Sequence, residues 1–558
     1  MGRRRQRKLT IVEVEAKKFD EAVERLKAKQ LRDEDYEVIT PVVEAYPDLI
    51  NLLKENKTSL GRLRKLLFGA STEKTEALIG EATDESSSSQ DEPAEPTTDE
   101  LDSANKPPPR RKGHGRNAAA EYRGAKQIEV PHESLQAGDP CPKCAEGSTL
   151  YEVREPGLLV RIVGQPPLQA TVYKLQKLRC ILCGKVFTAQ PPKGVGSEKY
   201  DATAAAMIGL LKYGSGLPFN RLQGLQRNLE IPLPASTQWD IVHAAADEMI
   251  AAYRELIRQA AQGDVVYNDD TTIKILELMG KRARQRALAQ DPTDGANGSE
   301  RTGMFTSGVV STREGRRIAL FFTGRQHAGE NLKDVLAERA AELGPPIQMC
   351  DGLSRNLPGE LKTILGNCLA HSRRKFVDVF EHFSEECRYV LKVLEVVYKN
   401  DATAREQVLS PEERLSFHQA ESGPTMDELH TWLTRQFDDR LVEPNSVLGE
   451  AITYMLNRWK ELTLFLRQAG APLDNNIAER ALKKAILHRK NALFYKTENG
   501  ARVGDLFMSL IYTCELCGAN PFDYLTELQR HAGELSKNPQ DWMPWNYRST
   551  LEAARPAA

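Results

Sequence analysis

The sequence predicts a multidomain protein that joins an α/β domain to largely helical segments. Three observations predict this class. The chain has 558 residues, room for three or four domains at about 150 residues each. Residues 263–351 hold short β-branched runs interleaved with a hairpin signal and one helix pattern. Residues 201–262 and 381–465 carry helical periodicity instead. Hydrophobic content of 40% and charged content of 28% are those of soluble globular proteins. No apolar run approaches the length of a membrane span, so no membrane partner is expected. The basic start lacks the apolar core of a secretory signal. Nine cysteines, an odd and sparse count, argue for reduced thiols in a cytoplasm over a disulfide scaffold.

The net charge of −2 excludes a uniformly basic nucleic-acid coat, but the charge is segregated. Residues 1–72 form the first region, a helical segment. Within 46–69, Leu53, Leu60 and Leu67 recur every seven residues, with Leu49, Asn56 and Leu63 on the same stripe. A short coiled coil with a polar register position and an ordinary amphipathic helix both fit this pattern. Residues 73–115 are acidic, then Pro-rich and basic, and cannot bury enough apolar surface to fold, so they are expected to be a disordered linker.

Residues 116–200 are expected to form a zinc ribbon. Cys141-Pro-Lys-Cys144 and Cys180-Ile-Leu-Cys183 are two CxxC pairs separated by 35 residues. Each pair lets one tight turn place two thiolates on one ion, and two turns complete a tetrahedral sulfur site for structural Zn²⁺. Leu158–Val163 and Gln169–Leu178 read as paired strands between them. A third pair, Cys514 and Cys517, lies in an apolar helical run and is expected in the core, as are Cys350, Cys368 and Cys387. Residues 201–262 read as helices broken at Pro218 and at 229–234, with Ser236 or Thr237 as a cap. Helix, turn, helix is a weak DNA-reading signal by itself, because many helix pairs read nothing.

The α/β domain is expected over 263–380 and 466–520. Val265–Tyr267 and Ile273–Ile275 suit a strand interrupted by Asp269 and Asp270. Met304–Thr312 and Arg317–Phe322 are strand-like and joined by a Gly-containing turn. A helix pattern at 329–343 precedes an apolar strand ending at Asp351. The order is compatible with a ribonuclease H-like sheet, in which the first and fourth strands are neighbours and their acidic ends meet. Glu479 is the third carboxylate, 128 residues beyond Asp351, a gap long enough to require a helical insertion at 381–465. Residues 521–558 are left as a tail.

Each acid has a structural alternative. An Asp at a strand end forms turns, and Asn476 with Glu479 fits a capping box. Together the three suit phosphodiester chemistry, since two Mg²⁺ ions held by carboxylates can clamp attacking and leaving oxygens. The surrounding Arg373, Arg374, Lys375, Arg480, Lys483, Lys484, Arg489 and Lys490 suit contacts to nucleic-acid phosphates, with a solvated helix face as the alternative.

At these residues the chain resembles the DDE transposases of the insertion-sequence 66 family. The resemblance is carried by Asp269-Asp-Thr-Thr-Ile-Lys274, Cys350-Asp-Gly352, Leu369-Ala-His-Ser-Arg-Arg-Lys-Phe376 and Leu473-Asp-Asn-Asn-Ile-Ala-Glu-Arg-Ala-Leu482, continuing to Phe494. Leu63–Gly69, Gly113–Arg116 and Met543–Tyr547 extend it over nearly the whole chain. It implies a ribonuclease H-like core, with Asp269, Asp351 and Glu479 as catalytic acids and ligands of two Mg²⁺, or Mn²⁺ in their place. It implies double-stranded DNA, both element ends and target, as partner, and small accessory proteins of the element. The 46–69 stripe and the need to hold two ends point to a homodimer or larger assembly on DNA. The expected location is a bacterial cytoplasm, at the nucleoid when DNA is bound. The family often has Asp-Glu-Thr-Pro where this chain has Asp269-Asp-Thr-Thr. Strand parity alone does not choose between Asp269 and Asp270; the resemblance selects Asp269. Two competing functions remain, a zinc-ribbon DNA-binding regulator on an inert ribonuclease H-like scaffold, and a structure-specific nuclease without strand transfer.

Overall fold

The computed structural model describes residues 198–280 and 303–554 continuously, 165–179, 181 and 186–196, and scattered positions before 165. The 46–69 stripe, the 73–115 linker and all four CxxC cysteines of the expected zinc ribbon lie outside the described residues. The chain divides into two units, residues 1–86 with 170–558, and residues 87–169.

In the first unit the earliest described strands are β1 (Lys177–Arg179) and β2 (Val186–Thr188), paired antiparallel. They bracket the segment of Cys180 and Cys183. The expected strand over Gln169–Leu178 is therefore confined to its end, and its described partner follows it in sequence. Three helices come next: α1 (Ala202–Gly209), α2 (Phe219–Asn228) and α3 (Ala235–Ala260). The breaks fall at Pro218 and 229–234, as the sequence indicates. Neither Ser236 nor Thr237 caps α3, which starts after Pro234. The Gln223 side-chain oxygen instead accepts the Ala235 N–H at 3.0 Å. Val242, Met249, Ala252 and Leu256 are fully buried along α3. The Tyr253 hydroxyl on the same helix donates to the Phe321 carbonyl at 3.1 Å.

The central sheet has five strands: β3 (Val265–Thr272), β4 (Phe305–Arg313), β5 (Arg316–Gly324), β6 (Ile347–Cys350) and β7 (Ile364–Asn367). Their spatial order is β5-β4-β3-β6-β7, with β3 antiparallel to β4 and parallel to β6. The first and fourth strands of the sheet are thus neighbours, the order expected from the sequence. The β4–β5 turn places Glu314 and Gly315 at positive φ, 50° and 78°. Two successive positive-φ residues match the right-handed strand twist, and glycine adopts the second without penalty. Between β5 and β6 runs α4 (Ala328–Leu336).

After β7 come α5 (Leu369–Val379), α6 (Ser384–Glu406), α7 (Pro411–Glu421), α8 (Gly423–Asp438), α9 (Val447–Asn457) and the short α10 (Trp459–Leu462). Leu391, Leu394, Leu429, Leu433 and Ile452 of these helices share one continuous core with Val265 and Ile347 of the sheet. The helical insertion is consequently built onto the sheet through apolar burial. Inside it, buried Asp401 receives Arg414 at 2.6 Å and His418 at 3.3 Å, and these contacts outweigh burial and hold its carboxyl below the usual range.

The chain then forms α11 (Asn476–Ala492) and α12 (Glu498–Cys517). Along α12, Asp505, Ser509 and Thr513 recur every fourth residue. They accept the N–H groups of Thr323, Phe321 and Ala319 at 2.7, 2.9 and 3.1 Å. A helical stripe thereby satisfies the outward amides of edge strand β5 and blocks further pairing there. Residues after 520, expected from sequence to be a tail, form α13 (Pro521–Arg530), α14 (Ala532–Lys537) and α15 (Tyr547–Ala554). Tyr524, Trp542, Met543 and Tyr547 are buried there, so apolar burial orders this segment. No described helix is long and apolar enough to cross a membrane.

Candidate active site

Asp269 lies within β3, which runs unbroken through both acids to Thr272 instead of being interrupted by them, and stands opposite Gly308 of β4. A side chain at Gly308 would meet Leu482 of α11 at 3.1 Å. The glycine thus lets α11, which carries Glu479, lie close over the strand. Asn475 holds the start of that helix. Its side-chain N–H donates to the Asn268 carbonyl at 3.1 Å, and its backbone N–H to Cys368 Sγ at 3.2 Å. Asp351 follows β6 directly and so stands beside β3.

The three carboxylates interact. Burial pushes the Asp269 carboxyl up to about 7, helped by the charges of Asp351, Asp270 and Glu479, against an opposing hydrogen bond from the Asp270 N–H. Burial also raises Asp351, while His371, the Leu353 and Asn356 donors and Arg355 pull the other way. Glu479 Oε1 is buried without a hydrogen-bond partner and lies 3.6 Å from His371 Nε2. The capping-box alternative for Glu479 is not what the helix start shows. The N-cap is Asn475, which makes no side-chain cap bond, and Asp474 just before it accepts the Asn476 N–H at 3.1 Å.

Asp270 has a different environment. Its side chain, 1% exposed, meets His327 Nδ1 at 2.8 Å and Arg355 at 3.3 Å. Neighbouring strand residues face opposite sides, so it turns from the side that α11 covers. A hydrogen bond with His327 and an ion pair with Arg355 thus occupy the Asp270 carboxylate.

A buried amide network, not foreseen from sequence, holds Asp351. The Asn356 side chain donates to Asp351 Oδ1. The Asn268 and Gln348 amides both donate to the Asn356 carbonyl at 2.7 Å. Three ordinary-looking amides scattered over 89 positions gave no motif to find. Arg458 and Lys375 flank the Tyr454 ring at 4.2 and 4.5 Å, and Arg458 donates to the Gly352 carbonyl at 3.1 Å. These too were not anticipated, apart from Lys375.

The predicted basic residues separate. Arg373 and Arg374 are half-buried on α5, while Lys375, Arg480, Lys483 and Lys490 are exposed. Lys484 instead pairs with Glu515 of α12 at 2.9 Å. Arg489 ties α11 to β3 through the hydroxyls of Thr271 and Thr272, at 3.0 and 2.9 Å. His488, on the same helix, is buried between Tyr213 and Tyr495 and pushed down to about 3 by burial and Lys212. It is uncharged at neutral pH. Cys350, Cys368, Cys387 and Cys514 are buried free thiols, and Cys517 is partly exposed.

The donor set fits a hard divalent cation. Carboxylate oxygens are the ligands such an ion prefers, crowded acids favour a nearby positive charge, and Glu479 Oε1 lacks a partner.

The family description "Transposase IS66 family" matches residues 198–503, more than half of the chain. The chain belongs to this transposase family. The match takes in β3, β6 and α11, and with them all three acids. Among curated relatives, protein y4jD of Sinorhizobium fredii (strain NBRC 101917 / NGR234) is 33% identical over 189 residues, covering 33% of this chain and 36% of the relative. Proteins y4hP and y4qI of the same strain are 27% and 28% identical, covering 61% and 62% of each chain. The chain therefore spans about a third to three-fifths of the curated relatives it matches. The five-stranded mixed sheet with its many helices fits the core of a transposase of this family.

Proposed function

We propose that this protein is a DDE transposase that cleaves the ends of an insertion element and joins the released 3′ hydroxyls to target DNA. The observation that carries the reading is the placement of the acids: Asp269 on β3, Asp351 just after the neighbouring parallel strand β6, and Glu479 on α11, which lies close over Gly308 beside Asp269, with burial and the surrounding acids raising the Asp269 carboxyl. Clustered acids of this kind disfavour their own ionisation, and a site for divalent cations makes use of that cost. Two Mg²⁺ or Mn²⁺ ions would activate the attacking oxygen and stabilise the leaving one.

Asp269, Asp351 and Glu479 would hold the cations. The Asn356–Asn268–Gln348 network fixes Asp351, and Asn475 fixes the helix of Glu479. In cleavage, a water oxygen bonds to phosphorus as the P–O3′ bond breaks, and the 3′ oxygen leaves as a hydroxyl. In transfer that hydroxyl attacks a target phosphorus and displaces another 3′ oxygen. Exposed Lys375, Arg480, Lys483 and Lys490, with Arg373 and Arg374, would contact backbone phosphates of double-stranded DNA. Cys141, Cys144, Cys180 and Cys183 would hold one structural Zn²⁺, a reading supported by their spacing and by the β1–β2 ladder around the second pair. The α1–α3 region and the ribbon would supply DNA-end recognition. A homodimer or larger complex, with accessory proteins of the element, would hold two ends together at the nucleoid.

The test is incubation of the protein with labelled element ends, a target plasmid and Mg²⁺. Nicked ends and joined products are expected, both lost in Asp269→Asn. Nicking without joining would identify a structure-specific nuclease, and retarded DNA without products a DNA-binding regulator.

A further inference from the structure

His371 sits where the carboxylates meet. It lies on the first turn of α5, and its Nε2 is 3.6 Å from Glu479 Oε1. That separation is too long for a hydrogen bond. It suits two ligands of one ion, since metal–nitrogen and metal–oxygen bonds of about 2.0–2.2 Å set neighbouring ligand atoms about 3 Å or slightly more apart. His371 also acts on Asp351, as the largest of the influences that counter burial of that carboxyl. Its other ring nitrogen, Nδ1, is buried without a partner, as is Glu479 Oε1. Cys368 Sγ comes within 4.8 Å of both ligand atoms. It already accepts the Asn475 N–H, and a thiol suits soft ions, so it acts as packing and anchor.

We infer that His371 is a ligand of the cation held by Glu479, making that position a mixed nitrogen–oxygen site. The inference rests on the assignment of Asp269, Asp351 and Glu479 as cation ligands. An imidazole discriminates among ions that carboxylates treat alike. It binds Mn²⁺ and later transition ions better than Mg²⁺, which favours oxygen. Within the fold, the basic segment after Cys368 then has two duties: its histidine reaches the ion while Arg373, Arg374 and Lys375 follow on the same helix.

The experiment is pulsed electron paramagnetic resonance of Mn²⁺ bound to the full-length protein, read for coupling to ¹⁴N, with Mn²⁺ and Mg²⁺ affinities by calorimetry. The wild type is expected to show ¹⁴N coupling that His371→Ala and the bulkier His371→Gln both lose. Mn²⁺ binding in these variants should weaken about 10-fold or more, as loss of a ligand or its support does, and Mg²⁺ binding by much less. Wild-type Mn²⁺ without ¹⁴N coupling, or coupling that survives in His371→Ala, overturns the inference. If Asp269→Asn still releases Mn²⁺ in that case, the carboxylate assignment stands alone. Mn²⁺ held equally by wild type and Asp269→Asn overturns that assignment, and the His371 inference with it.

Discussion

Asp269 and Asp270 are adjacent carboxylates in unlike surroundings, one against other acids and one against His327 and Arg355. Their substitutions should differ accordingly. The folded pKa of Asp269, about 7, lies above its ordinary value of 3.8. A raised carboxyl pKa favours the fold below pH 4, and that support is lost as pH rises through 7. Asp269→Asn should therefore unfold at a higher temperature than wild type at pH 8, by an amount worth about 2–4 kcal/mol, and converge with it near pH 4. Added Mg²⁺ should raise the wild-type midpoint and leave that of Asp269→Asn unchanged. Asp270→Asn strips a buried ion pair and should cost about 1–3 kcal/mol while keeping the Mg²⁺ response. Thermal melts at two pH values, with and without Mg²⁺, check these outcomes. A Mg²⁺ response lost in Asp270→Asn and kept in Asp269→Asn would reverse the assignment.

At the scale of elements, the packing of α12 on the edge of β5 depends on one carboxyl. Asp505 accepts both the N–H and the hydroxyl of Thr323, and burial pushes it up to about 8. The sign matches that of Asp269: the support Asp505 gives is complete below pH 4 and fades as pH rises through 8. Asp505→Asn keeps an acceptor without a titrating proton. Urea unfolding at pH 5 and pH 8.5 should show a smaller loss of stability in this variant than in wild type. Asp505→Ala leaves the Thr323 N–H unsatisfied and should cost about 1–3 kcal/mol at either pH. Equal pH dependence in wild type and Asp505→Asn would refute the role.

For the whole molecule, the basic residues divide between structure and solvent. Arg480, next to Glu479, and Lys483, one turn beyond it, are exposed, whereas Lys484 and Arg489 have protein partners. Replacing Arg480 and Lys483 together by Ala should flatten the salt dependence of DNA binding, by roughly 0.9 in log–log slope for each phosphate no longer neutralised. Replacing Arg489 should lower the melting temperature, because its ties to β3 go with it. Binding measured across a salt series separates these, and an unchanged slope places Arg480 and Lys483 on a solvated face. The zinc expectation is independent of these residues. Elemental analysis should find about one Zn²⁺ per chain. Cys141→Ser should lose it while the Mg²⁺ response of Asp269 persists. Protein purified without chelators and free of zinc would count against the ribbon.

The sequence by itself determined that the first and fourth strands are neighbours and that a helical insertion precedes Glu479, because each left a local mark. Strands showed as β-branched runs between turn residues, and the insertion as an overlong gap between Asp351 and Glu479. The family resemblance then pointed to Asp269, Asp351 and Glu479 as the candidate acids. Only the tertiary structure decided what depends on residues meeting from distant positions. Periodicity showed Leu506–Leu516 as an apolar helical run, but the outward amides of β5 are what make Asp505, Ser509 and Thr513 a polar seam. The helical pattern after Glu479 was plain, but only the neighbouring strand and helix show Arg489 and Lys484 to be structural. The segment after 520 looked like a tail because its buried aromatics are short of partners until they pack. The choice between Asp269 and Asp270 is of the same kind. A strand fixes that two neighbours face apart, and only the packing of α4 and α11 on opposite sides fixes which neighbour meets Glu479.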